Sequence, residues 1–347
     1  MRVLVLGATG YVGSRLVPAL LDAGLDVRAA SSSTPDPDRF GWGDDVEWAQ
    51  CDVTSDDAVR DALVDVDAVV YLVHSLSGPG FAGRDLMGAQ VVRDAVDASG
   101  VERVVYLSGL VPDVPREQLS PHIDSRLEVE EELLRASCST LALRAGVLVG
   151  AGSTSWEIIR QLASLLVVQP VPTWLRSSVQ PVAVSDAVRA LVETVTSSDL
   201  EGAVDVGGPE VLPYPRLLGL ASRAERLLRL RVPVPVVITP VPVVAVAVAA
   251  LVQAPFRTVV ALVHSLREDM VCRPGHTWVP ADGEPLLSMA DAVRRTRAPQ
   301  GEWPEAGLPS DPDWTRQRAP VLDVLHAPRT WRAGVSLARH RVRSALG

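Results

Sequence analysis

The sequence predicts an α/β fold: a doubly wound parallel sheet with a smaller C-terminal lobe for substrate. Two observations carry the prediction. Short apolar runs recur at residues 3–6, 27–30, 46–49, 68–73, 104–107 and 141–149, separated by segments long enough for helices, and strands alternating with helices pair in parallel. The first run leads directly into glycines at 7, 10 and 13 and then into the apolar-periodic stretch 14–25, an order of strand, glycine turn and helix. A chain of 347 residues buries roughly three quarters of its unfolded surface, so the core needs no covalent staples.

The glycine loop is shaped for a dinucleotide pyrophosphate. Gly7 permits the tight turn, Gly10 lets the backbone come up to the phosphates, and Gly13 lets the helix pack closely on the sheet, so that the amides at its start point at the anion. The helix dipole adds only about 0.3–1 kcal/mol there, so geometry matters more than field strength. Further along, 56–63 and 88–99 carry alanine, valine and charge at helical spacing, with Thr54 or Ser55 placed as an N-cap. Beyond residue 150, helical stretches at 156–168 and 185–195 are interrupted by Pro170, Pro172 and Pro181. The chain therefore divides into a nucleotide-binding domain over 1–150, a substrate lobe over 151–297 interleaved with the sheet, and an extension over 298–347. That extension either wraps on the domain or stays partly disordered. Parallel sheets bind ligands beyond the carboxyl ends of their strands, where such a lobe closes a pocket.

Composition narrows the function. The net charge of −9 argues against a nucleic-acid partner. Cys51, Cys138 and Cys272 are odd in number and far apart, matching neither a disulfide framework nor a metal spacing. They suit a reducing cytoplasm, and a chain entering a strand at once leaves no room for a signal peptide. All 33 basic residues are arginine, which excludes any lysine-dependent mechanism. The stretch 232–256 is uncharged and nominally long enough to span a bilayer, but its prolines leave only 243–252 as a clean helix. Arg223, Arg226, Arg229 and Arg231 precede it, Arg257 follows, and Arg329, Arg332, Arg339, Arg341 and Arg343 lie beside Trp331 near the end. Core packing, peripheral docking on an anionic membrane surface and a true span are the three readings.

GATGYVG at 7–13, Cys51-Asp52-Val53, YLVHSL at 71–76, VVYLSGL at 104–110, LRAG at 143–146 and QPVAVSDAV at 180–188 together resemble an atypical short-chain dehydrogenase/reductase. The similarity runs over residues 1–295 and is closest to the NmrA-like, NAD(P)H-binding branch, a Rossmann fold. It implies that Gly7, Thr9, Gly10, Tyr11, Val12 and Gly13 line the pyrophosphate, that Asp52 and Val53 hold the adenine edge, and that Leu72, Val73 and His74 set backbone against the ribose. A carboxylate at 52 suits an adenine amine and equally a turn or helix cap; His74 equally suits a plain strand end. NAD-selective folds place an acid at the end of strand two. Here that strand ends in Ser31 and Ser32, which supply hydrogen bonds without charge, so NADP is favoured and NAD stays open.

Relatives commonly use a serine after strand five and a Tyr-x-x-x-Lys pair on the next helix. Ser108 matches the serine, whereas His122 and Arg126 replace the pair. Four residues apart, they share a helix face. Arg126 suits ribose hydroxyls or a phosphate and biases His122 toward its neutral form, in which imidazole donates one hydrogen bond and relays a proton. The plainer reading has His122 exposed at a helix start and Arg126 paired with Glu130. Arg144 reads as structural, Asp186 as a helix cap, 152–156 as a contact for nicotinamide or substrate, and Trp156 and Trp174 as pocket walls. The resemblance implies a cytoplasmic NAD(P)H-binding oxidoreductase passing hydride to a small-molecule carbonyl or quinone-like substrate. A dinucleotide-binding redox sensor without turnover and a membrane-surface redox assembly factor are the alternatives.

Overall fold

The computed structural model describes residues 1–74, 80–165, 168–197, 199–235 and 240–316. Chain order runs β1 (Arg2–Leu6), α1 (Gly13–Asp22), β2 (Asp26–Ser31), β3 (Glu47–Gln50), α2 (Asp56–Ala62), β4 (Ala68–Tyr71), α3 (Phe81–Asp97), β5 (Arg103–Gly109), α4 (Pro121–Leu133) and β6 (Ser139–Ala145). With the later strand Gly202–Val206 these strands form one sheet in the order β3-β2-β1-β4-β5-β6 and then Gly202–Val206, every pair parallel. The direction of winding reverses between β1 and β4, which opens a crevice at their carboxyl ends.

Both faces are buried, which is why the strands read as continuous apolar runs. Val3, Val5, Val70, Val105 and Leu143 pack on one face with Leu16 and Leu20 of α1. Leu4, Leu6, Val69, Tyr71 and Tyr106 pack on the other with Val59, Val92 and Val129. Ser55 caps α2, accepting from the Ala58 amide, as its position predicts.

Several boundaries differ from the sequence reading. The run 68–73 ends as a strand at Tyr71 and the helix expected at 88–99 begins at Phe81. The run 141–149 divides at Gly146, where a Cβ would strike the Gln180 carbonyl; Leu148–Val149 leaves the main sheet to pair with Val182–Ala183. Gly202–Val206 escaped the periodicity because it carries Asp205. That carboxylate is buried and held by Arg273, whose Nε and backbone amide donate at 2.9 and 2.7 Å.

The lobe consists of α5 (Thr154–Leu165), α7 (Tyr214–Ala224), α8 (Val241–Leu251), α9 (Phe256–His264) and α10 (Met289–Arg295), while α6 (Val184–Thr196) packs beside α1 on the sheet through Ala187, Leu191 and Val195. Asp186 does not cap α6. That helix starts at Val184 after Ala183 without a side-chain cap, and Asp186 instead accepts the Leu287 amide at 2.9 Å. Within the uncharged stretch, Ala245, Ala249 and Val252 form a core cluster with Val259 and Val263 of α9. Among the described residues no helix is long and apolar enough to cross a membrane; the arginines at 329–343 and Trp331 lie outside them.

Candidate dinucleotide and substrate site

The loop between β1 and α1 is a set of close backbone approaches. Gly7 has φ +88°, a left-handed conformation that glycine adopts without strain, and its carbonyl accepts the Gly10 amide at 3.0 Å. A Cβ at Gly13 would press on the Gly7 carbonyl and come within 2.6 Å of the Ala8 oxygen. No side chain caps the start of α1. Gly13→Ala is therefore expected to displace the loop and weaken NADPH binding by at least about tenfold, read by fluorescence titration; unchanged affinity would remove the loop from the binding site.

A cavity of about 760 Å³ opens over this loop, and every residue assigned above to cofactor or catalysis lines it. Its polar rim is more specific than its shape. Asp52 accepts from the backbone amide and hydroxyl of Thr54 at 3.0 and 2.8 Å. Those bonds hold its carboxyl below the usual carboxylate range, so the turn and the cavity wall use the same ionised group. Ser31 is buried, 3.2 Å from the Ser33 hydroxyl. Arg28 turns away, donating to the Ala62 and Val64 carbonyls at 2.7 Å and to Glu47. His74 is exposed, with Nδ1 3.4 Å from the Leu72 carbonyl.

Sequence reasoning missed five residues of this lining that matter for charge and closure. Arg39 and Arg84 line the same cavity, as do Ser310, Asp311 and Pro312 of the extension. Residues 298–316 wrap on the domain, pinned at Arg15 of α1. Its Nη atoms meet both Asp311 oxygens at 2.9 and 2.8 Å, and its Nε donates to the Pro304 carbonyl at 2.9 Å. The two side chains are 2% and 1% exposed, so this ion pair is fully desolvated. Arg39 reaches the same strap, donating to the Ser310 carbonyl at 2.7 Å. Pairings nearly three hundred residues apart leave no periodic trace; the buried-type Arg15 in an apolar helix was the available signal.

At the other end of the cavity, α4 meets the end of β5. Ser120 caps α4 by accepting the Ile123 amide, which places His122 in the first turn and Arg126 one turn later. His122 is only 9% exposed, so the exposed helix-start reading fails. Burial first, and the Arg126 charge second, lower its pKa to about 4. Arg126 does not pair with Glu130, which takes Arg144 instead at 2.6 Å; Arg126 crosses β5 and donates from Nη2 to the Leu107 carbonyl at 2.7 Å. Its Nε and the Ser108 hydroxyl are buried without protein partners. Buried polar groups are normally satisfied, and these two stand on a cavity wall. Trp156 is a core residue, 1% exposed, whereas Trp174 lines a second cavity of about 200 Å³. That second cavity shares His122, Arg126, Gly146 and Ser155 with the first.

The residues present fit a dinucleotide: a glycine turn with φ +88° at Gly7 and no room for a Cβ at Gly13, and orphaned donors at the far end. Comparisons agree. Residues 7–161 match the model of an NAD(P)H-binding family. The uncharacterized proteins Rv2047c of Mycobacterium tuberculosis and Mb2073c of Mycobacterium bovis are each 26% identical over 228 residues, 64% of this chain and 23% of theirs. The chain thus spans about a quarter of the length of these relatives. The fold is similar to UDP-glucose 4-epimerase of Thermus thermophilus in complex with NAD (20% identity, TM-score 0.56, covering 91% of this chain and 99% of that one). It is also similar to UDP-glucose 4-epimerase of Thermotoga maritima with UDP-glucose (15%, 0.59, 85% and 96%). A short-chain dehydrogenase/reductase superfamily protein of Agrobacterium tumefaciens with bound NAD gives 20%, 0.56, 68% and 86%. With the glycine turn, the winding order and the family match in agreement, residues 7–161 are similar to an NAD(P)H-binding family and carry its Rossmann-type sheet.

Proposed function

We propose that the protein is an NADPH-dependent oxidoreductase that reduces a carbonyl or quinone-like small molecule. The observation that carries this reading is the shared wall: His122 and Arg126 face both the dinucleotide cavity and the second one. When bound, the reduced nicotinamide supplies the hydride that goes to the acceptor carbon. The chain's own groups do the rest. The Gly7–Gly13 loop holds the diphosphate with Thr9, Tyr11 and Val12, Asp52 and Val53 hold the adenine, and Leu72 to His74 pass the ribose. The Ser108 hydroxyl and the neutral His122 imidazole donate hydrogen bonds to the acceptor oxygen, and His122 takes up a proton at one nitrogen as it gives one up at the other. Arg126 holds the ribose hydroxyls.

Arg39 and Arg84 supply the positive charge that Ser31 and Ser32 lack, which supports NADPH over NADH. Arg39→Ala is expected to weaken NADPH by about tenfold and NADH by less than about twofold, measured by titration of each. The reading itself is tested by NADPH oxidation against a panel of ketones, aldehydes and quinones. Tight binding of both cofactor forms with no turnover across that panel would leave a dinucleotide sensor.

A further inference from the structure

We propose that the substrate is an apolar carbonyl compound, with an alkyl, alicyclic or isoprenoid body, held in the second cavity; this rests on the oxidoreductase reading above. The cavity is built from four helices of the lobe. Ile158 and Leu162 come from α5, Leu218 from α7, Val248 from α8 and Leu262 from α9, with Trp174 beside them. Arg126 is the charged side chain in its lining and His122 the imidazole, and both stand at the end shared with the dinucleotide cavity. Ser155 is at that same end. Elsewhere the wall offers Ser265, whose hydroxyl donates to the Leu262 carbonyl at 2.7 Å, and Tyr214, packed with Trp156 and Leu217 in the lobe core. A substrate with polar groups along its length would leave them unpaired against this wall, and burial without partners is unfavourable. A body of hydrocarbon gains from the same contacts, while one oxygen is served at the His122 end.

The cover of the cavity has the same character. Val244 and Val248 of α8 line it from inside, Ala245 and Ala249 pack α8 closely on α9, and Val243 and Val246 on the outer side stand in solvent. An apolar molecule passing between α8 and α9 meets no charged side chain of α8. In the reaction the carbonyl carbon gains a hydride and its oxygen a proton. The alcohol leaves with the cofactor oxidised; a quinone takes the same hydride and one proton and leaves as the hydroquinone.

The test is equilibrium binding to the full chain with NADP⁺ present, using 2-decanone as the apolar probe and UDP-glucose as the polar one. The expected result is 2-decanone binding at least about tenfold tighter than UDP-glucose. Val248→Gln and, separately, Leu162→Gln should weaken 2-decanone by about tenfold with NADP⁺ affinity unchanged; the wild-type comparison stands even where a variant does not fold. Equal or tighter binding of UDP-glucose, or no binding of 2-decanone, overturns the proposal. NADP⁺ that fails to bind while 2-decanone still does would overturn the oxidoreductase reading and keep the apolar ligand.

Discussion

Asp311→Ala is expected to destabilise the protein by about 3–5 kcal/mol, because it leaves the Arg15 guanidinium buried without its counter-charge. The carbonyls of Pro304, Ala151 and Ala306 still accept from Arg15, which sets the loss nearer the lower end. Calorimetry should show a melting temperature lower by on the order of 10 °C. The pair is desolvated, so added salt should not reproduce the effect. Replacing both partners together, Arg15→Met with Asp311→Leu, should recover much of the stability, since an apolar pair of similar volume avoids the desolvation cost. A single variant melting within about a degree of wild type would show that the strap is not anchored there. Because Ser310, Asp311 and Pro312 also wall the dinucleotide cavity, NADPH affinity should fall with stability.

The second large effect is kinetic. His122→Ala is expected to lower turnover by at least about tenfold, within the range of roughly 10² to 10⁴ that positioned proton transfer supplies, while NADPH affinity changes little. Unchanged turnover would remove His122 from the mechanism. The pKa of about 4 keeps the imidazole neutral through the physiological range, so this residue imposes no titration on the rate between about pH 6 and 8. It does act on stability. Unfolding returns the imidazole to an ordinary pKa near 6.5, so between about pH 6.5 and 4 the unfolded chain binds the proton that the folded one refuses. Stability from this group is complete above about 6.5 and is lost as pH falls toward 4, with a limiting slope of about 1.4 kcal/mol per pH unit. His122→Gln should flatten that acid limb in denaturant titrations run across pH.

The first half of the chain was legible because its signals are local. A strand, three glycines and a helix follow one another within 25 residues, and β2 to β6 each overlap one of the apolar runs. Residues drawn from six separate loops and strand ends converge on one cavity because the parallel sheet brings all those carboxyl ends to one edge. Illegible features depend on partners distant in sequence. Asp205 made Gly202–Val206 look polar until Arg273 neutralises it. Glu130 was one turn from Arg126, yet the strand beneath offers Arg144 in a better position. Arg39 carries no local signal, and only the fold of the strap and of the β2 end places it on the cavity.

The strap also has a consequence for biosynthesis. Arg15 is translated 296 positions ahead of Asp311, and the sheet itself waits for Gly202–Val206 to close its edge. One wall of the cavity is therefore made only once the chain has grown past Pro312. Any chain shortened before residue 298 lacks the carboxylate that neutralises Arg15 and the Ser310–Pro312 side of the cavity.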